Sequence, residues 1–456
     1  MKRASWWSRL VWAAVLPLVL LGASFVPAGT PAVDAVGCGN APELPAPAAQ
    51  AQERWRYVYD GGGSYQVVGW SPSEVTLLVN SPGCAISRIA LVGLDLISGQ
   101  ERWRVTSDQW EGEANDGITT GSGLVILPTS DAVYAYDETT GQQLWSAASG
   151  YDWAPAIVAD ENNAIVLSYE NALMALNEGT GALLWQQTLP TGSITDWQNI
   201  EGGPLVGIGR PANAGEDVLA FGIDKATGTI LWQTVVGNTV SSFGGELGLD
   251  GNGTGLVVAK VQTDGTSALA ALDGATGTIH WTAPIASDIA YGRVYLTRGA
   301  QPTVIYATGG SLEVKSATGY DAASGAQRWQ NENIGTDAIL ADDTHLVGAG
   351  PTLSYLNALV SVDGETGEMV WAQPYALVDG GFPGTAAMSI DEVVFTPSLQ
   401  EEPAPTIMAV DLATGNVNWS NAFPEFMGLY LDGVAADLPL ATGETADEAV
   451  LIAFGS

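Results

Sequence analysis

The chain is short of bases. Its 456 residues hold 15 Lys and Arg against 50 Asp and Glu, a formal net charge of −35. Nucleic acid binding needs clustered Lys and Arg to displace counterions, so that class of partner is excluded. An anionic lipid surface is excluded as the main partner on the same ground. There are only two histidines, His280 and His345, and two cysteines, Cys38 and Cys84, and no His lies at metal-ligand spacing from a second His or Cys. No Gly-x-Ser-x-Gly nucleophile elbow occurs. No stretch of useful length has a 3.6-residue apolar period, so long amphipathic helices are excluded as the building material.

What the chain has in quantity is Gly, at 56 residues, and Trp, at 16. The five residues QERWR occur at Gln52–Arg56 and again at Gln100–Arg104. They are part of a repeat of the form D-x-x-[TS]-G-x-x-x-W. Its Asp, Gly and Trp positions are Asp95, Gly99, Trp103; Asp137, Gly141, Trp145; Asn177 in place of Asp, Gly181, Trp185; and Asp224, Gly228, Trp232. They continue as Asp273, Gly277, Trp281; Asp321, Gly325, Trp329; Asp363, Gly367, Trp371; and Asp411, Gly415, Trp419. Successive motif Trps stand 40 to 49 residues apart.

The chemistry of the motif is that of a hairpin. The Asp and the Thr or Ser hydroxyl satisfy backbone groups in the turn, and Gly supplies a positive φ. Short apolar runs flank each turn and two more precede it, giving four strands per repeat, the description of a propeller blade. Burying each Trp removes roughly 150–250 Å² from water, worth about 4–6 kcal/mol gross at about 25 cal/mol/Å². A four-stranded unit cannot bury such a ring alone and needs a neighbour.

The repeat resembles the tryptophan-docking motif of the PQQ-like (quinoprotein alcohol dehydrogenase-like) β-propeller family, over about Gln52 to Ser456. That family also includes the propeller lipoproteins of outer-membrane protein assembly. The resemblance implies an all-β propeller in which the motif Gly and Trp lock neighbouring blades. The family norm favours eight blades; the strict repeat count allows nine. Trp55 lacks the turn, and the chain ends in three strand-like stretches. The N-terminal strand is therefore expected to complete the last blade and close the ring, which removes exposed edges.

The resemblance raises the question of a quinone cofactor. The adjacent cysteine pair and the C-x-x-C-H of its enzyme members are missing, and no set of acids matches their calcium site. No cofactor is therefore expected, although PQQ with calcium defines the alternative function, an oxidoreductase with its site in the funnel. Asp250 to Gly255 echoes an EF-hand loop, but Val261 stands where Glu is needed. Asp160, Asp342, Asp391 and Asp432 fall at comparable positions in other repeats and read as hairpin turns. Three loops after motif Trps carry acidic–aromatic pairs: Asp108 with Trp110, Asp152 with Trp153, Asp196 with Trp197. These six residues are the candidate binding surface.

The N-terminus carries Lys2, Arg3 and Arg9 before an apolar run from Leu10 to about Val26, the pattern of an export signal. Residues 1–35 are read as a signal peptide or signal-anchor, with cleavage after Ala32 or Ala35. Residues 36–51 are a Pro/Ala-rich tether and 52–456 the propeller. Cys38 and Cys84 are a disulfide candidate in an oxidising compartment; the rival reading makes Cys38 a lipidated first residue. The expectation is an extracytoplasmic scaffold with an envelope protein as partner, touching the membrane only through the N-terminal segment or a lipid on Cys38. A sensor ectodomain is a third reading.

Overall fold

Each repeat motif folds as the turn its chemistry predicts. In the second repeat the Asp137 Oδ1 accepts from the Thr140 backbone N–H at 2.8 Å and from its hydroxyl at 2.7 Å. The Gly141 N–H closes the turn on the Asp137 carbonyl at 2.8 Å, with Gly141 at φ 67°. The same hydroxyl clasp recurs at Asp95–Ser98, Asn177–Thr180, Asp224–Thr227, Asp273–Thr276, Asp321–Ser324, Asp363–Thr366 and Asp411–Thr414.

The computed structural model describes residues 52–59, 64–81, 88–106, 118–119, 122–129, 132–148, 156–160, 163–167, 171–200, 202–210, 217–238, 247–249, 255–263, 266–285, 292–297, 303–308, 316–332, 334, 340–341, 344–349, 358–374, 386–388, 391–396, 405–435, 438–444 and 449–455. All of them belong to the unit Ala41–Ser456. Among them are nine four-stranded antiparallel sheets. In the first eight the strands follow in chain order, and the fourth, outermost strand carries the motif Trp. The first blade, for example, runs Ser64–Trp70, Glu74–Ser81, Arg88–Asp95 and Glu101–Thr106.

The ninth sheet departs from chain order. It takes Gly428–Ala435, Leu438–Glu444 and Ala449–Gly455 from the C-terminus, then Gln52–Val58 from the N-terminus as its outer strand. The last pair is antiparallel, with Trp55 opposite Ala453 and Val58 opposite Val450. Closure by the N-terminal strand is therefore as the sequence implies. The count of sheets corrects the expected eight. Each turn motif heads its own sheet, and the closing sheet has no turn motif, so eight motifs make nine sheets.

The hydrophobic cores lie between blades and not within them. Nine clusters of buried side chains each join one sheet to the next. One holds Leu91 and Trp103 of the first blade against Leu127 and Tyr136 of the second. The last of the cycle packs Leu440 and Leu451 of the ninth against Leu77 and Val92 of the first. A strand pleat presents alternate residues to opposite faces, so every inner strand can feed two such cores. The nine junctions together form a closed ring.

Candidate functional site

The docking of Trp on Gly is the dominant geometry. The Trp103 ring lies over Gly141 of the next blade, so that a methyl group on Gly141 would sit 2.5 Å from the ring's Cε3. Its indole Nε1 donates to the Glu138 carbonyl at 2.6 Å, within the same turn. Equivalent indole bonds run from Trp145 to Glu178, Trp185 to Lys225, Trp232 to Gly274, Trp281 to Ala322, Trp329 to Gly364 and Trp371 to Leu412. The ring of each also covers the motif Gly of the next blade: Gly181, Gly228, Gly277, Gly325, Gly367 and Gly415. Trp55 does the same from the closing strand, covering Gly99 and donating to the Leu96 carbonyl at 2.8 Å. At the ninth junction there is no turn to dock on. Trp419 instead stacks on Phe454 at 6.1 Å, beside Phe423 and Phe426.

The repeated QERWR has a second purpose on the outside of the ring. Arg104 pairs with Glu101 at 2.6 Å and lies over the Tyr59 ring at 4.5 Å, while Glu101 accepts from the Tyr57 hydroxyl at 2.8 Å. Tyr57 and Tyr59 belong to and follow the closing strand. Arg56 repeats the arrangement one junction earlier, pairing with Glu53 at 2.8 Å and with Glu425 at 3.2 Å, and lying over Phe426 at 5.5 Å. One copy of QERWR lies on the closing blade and the other on the first, and their contacts bridge the junctions on both sides of the closing blade. Burial is the main cause that pushes the Tyr57 hydroxyl up, with Glu101 adding to it.

One acid is buried where sequence reading gave no sign of it. Glu74, 1% exposed, accepts from the Trp103 indole at 2.8 Å and from Arg102 at 3.2 Å. Arg102 also pairs with Asp95. Burial pushes the Glu74 carboxyl up, Trp103 and Arg102 pull it back, and Glu138 across the junction pushes again. Asp432 is a second acid whose carboxyl is pushed up, here from a half-buried position. It stands mid-strand on the inner strand of the ninth blade, beside a register shift between Leu431 and Gly433, and not at a hairpin turn as its spacing implies. Burial pushes its carboxyl up to about 6, partly offset by the Thr442 hydroxyl at 2.7 Å.

Of the six candidate surface residues, Asp108, Trp110, Asp152 and Trp153 lie outside the described residues, as do Cys38 and Cys84. Asp196 and Trp197 lie on the inner strand Ser193–Asn199 of the fourth blade, where a loop was expected. A register shift between Ile194 and Asp196 places Trp197 opposite Gly207. The ring fills the space that a Cβ on Gly207 would need, 2.4 Å from Trp197 Cζ3, and meets Phe221 edge-on at 5.4 Å. The Trp197 Nε1 is buried without a hydrogen-bond partner.

His280 approaches Asp273 at 3.9 Å, and His345 Nδ1 lies 2.9 Å from the Thr344 hydroxyl. Among the described residues no three His, Cys, Asp or Glu side chains converge as a metal site.

A family model described as outer membrane protein assembly factor BamB matches residues 129–241 and 215–437. The chain belongs to that family. It is similar to the outer membrane protein assembly factor BamB of Moranella endobia (strain PCIT), 26% identical over 205 residues, 41% of this chain and 50% of the relative. It is also similar to the serine/threonine-protein kinase AfsK of Streptomyces coelicolor, 25% identical over 214 residues, 45% of this chain and 24% of the kinase. The chain thus spans half or less of these curated relatives. The crystal structure of BamB from Moraxella catarrhalis aligns over 89% of this chain and 98% of its own, with 14% identity and a TM-score of 0.47.

Proposed function

We propose that the chain is an exported, non-catalytic propeller that binds another protein in the cell envelope. The family match over residues 129–437 carries this reading, because the relative it points to is named as an assembly factor. The packing is in keeping with it. The motif side chains are spent on joining blades, so the ring is a rigid frame whose loops and rim are left for recognition. Export rests on the N-terminal signal pattern and on Cys38, either paired with Cys84 or carrying a lipid. The AfsK match favours a second reading, a propeller that serves a signalling protein as its sensing part.

The test is capture in the envelope. The full chain, tagged at its C-terminus, is crosslinked in cells, and the partners are identified in wild type and in Trp110→Ala/Trp153→Ala. A single envelope protein captured by wild type and lost in the variant supports the reading and the loop surface. Thermal melts with PQQ and calcium test the alternative. A midpoint that rises with PQQ concentration, with no envelope partner captured, overturns the scaffold reading in favour of an oxidoreductase.

A further inference from the structure

The outer strand of each blade is the edge of its sheet, with one row of backbone N–H and C=O groups facing outward. Proteins blunt such edges with charge. This chain does so on its two QERWR edges, where Glu53, Arg54 and Arg56, and Glu101, Arg102 and Arg104, surround the Trp. It does not do so on the outer strands of the second to fifth, seventh and eighth blades, Gln143–Ala148, Leu183–Thr188, Ile230–Gly237, Ile279–Pro284, Met369–Pro374 and Val417–Ala422. Those six strands hold no Asp, Glu, Lys or Arg, in a chain with 50 acids. They expose Leu144, Leu183, Leu184, Leu231, Val235 and Ile279 instead.

The fourth blade has the most open of these edges. Ile230–Gly237 is eight residues long, without Pro, and its exposure alternates along the strand. Leu231 and Val235 are each 52% exposed. Relative to the Trp, Leu231 stands where the first blade has Arg102, and Gln233 where it has Arg104. Trp232 is also the one outer-strand Trp that is half-buried; the other eight are buried. Open backbone groups, alternate aliphatic side chains and a part-exposed indole are together what an added β-strand needs.

We propose that the outer edge of the fourth blade receives an extended strand from a partner protein, with alternating aliphatic residues and Lys or Arg at its ends. This rests on the protein-binding reading above and names the partner's chemistry. The charge selects the occupant. Two copies of a chain with net charge −35 repel one another, whereas a strand with basic ends is attracted to the acidic ring.

The probe is a fluorescein-labelled peptide of alternating Val and Thr with two Lys at each end, titrated with the full chain and followed by anisotropy. Wild type is expected to bind, with slowed amide exchange across 230–236. Leu231→Arg/Val235→Glu, neutral in net charge and confined to exposed positions, is expected to weaken binding at least tenfold with an unchanged thermal midpoint. A peptide N-methylated on alternate amides is expected to lose binding to wild type. No binding by wild type, equal binding by the variant, or binding by the N-methylated peptide overturns the proposal. Self-association of the wild type that the double substitution abolishes also overturns it, in favour of a second copy. If envelope capture persists unchanged in Leu231→Arg/Val235→Glu, the edge is wrong while the protein-binding reading stands.

Discussion

Gly141→Ala should be among the most costly single-methyl changes in the ring, and its cost should depend on a residue in the neighbouring blade. Two causes are separable. Gly141 sits at φ 67°, where a side chain costs about 1–2 kcal/mol. The added methyl would also lie 2.5 Å from Trp103 Cε3 and 2.6 Å from Cδ2, so the ring must shift, an overpacking of about 1–3 kcal/mol. The single substitution is thus expected to cost about 2–5 kcal/mol. Trp103→Ala alone should cost about 3–5 kcal/mol as the large-to-small change of a buried aromatic. In the Trp103→Ala background the clash is gone and only the backbone term remains. The double-mutant cycle should then show a coupling of about 1–3 kcal/mol, with Gly141→Ala milder when the Trp is absent. Urea unfolding followed by far-ultraviolet circular dichroism measures all four corners without relying on the altered fluorophore. If Gly141→Ala costs the same in both backgrounds, the ring-over-glycine contact does not lock the blades, and the account of the motif fails.

Asp432 should make stability depend on pH. Its carboxyl is raised in the folded state, so the fold binds a proton more tightly than the unfolded chain does. Stability should therefore fall as pH rises from about 4 to about 6, by on the order of 2 kcal/mol, and Asp432→Asn should flatten that slope in melts across the interval. Asp95 has the opposite sign. The Ser98 hydroxyl and N–H, then Arg102, hold its carboxyl down at about 2, so its contribution is lost only as pH falls toward that value. Ser98→Ala should raise the Asp95 carboxyl in a carbon-detected NMR titration, and no change would remove the hydroxyl as the main cause. Arg104→Ala should cost about 0.5–1 kcal/mol through its place over Tyr59. A loss that vanishes in Arg104→Lys would show that charge alone suffices and the guanidinium plane does not. Deleting residues 52–58 uncovers the buried edge Ala449–Gly455 and should cause self-association in sedimentation, while a monomer with an unchanged midpoint would contradict closure.

The repeat made most of the ring legible. Asp, Thr and Gly fix a turn by local hydrogen bonds, so spacing alone located the eight hairpins. Trp55 without its turn identified the closing strand. The blade count was also in the motif arithmetic, and the family norm pulled the expectation one too low. What sequence hid are features set by how strands pair within a blade. Glu74 is the one acid of the strand Glu74–Ser81, and nothing local says that the Trp103 indole and Arg102 will meet it. Asp432 and Trp197 were misplaced for a shared reason. Each stands at a register shift in an inner strand, and an inserted residue moves its neighbours to another face without leaving a signature that spacing can detect. Trp197 then lies over Gly207 because a glycine on the adjoining strand leaves room for it, a pairing visible only once the register is known.

The two QERWR copies show how one repeat can be adapted to closure. Eight junctions are held by a Trp over a Gly, and the ninth has no Gly turn to offer, since its blade is assembled from both ends of the chain. That junction is filled by Trp419, Phe423, Phe426 and Phe454, and it is bridged on the outside by Arg56 over Phe426 and against Glu425. The next junction has its Trp–Gly contact and is bridged as well, by Arg104 over Tyr59. Surface ion pairs taken singly contribute little. Here each is joined to an aromatic face and placed beside the one blade whose strands are not continuous in sequence, where local opening would otherwise begin. The charge that these clasps require also blunts the edges of the ninth and first blades. The uncharged edge of the fourth blade is then a part of the rim left open to a partner strand, apart from the two charged edges that close the ring.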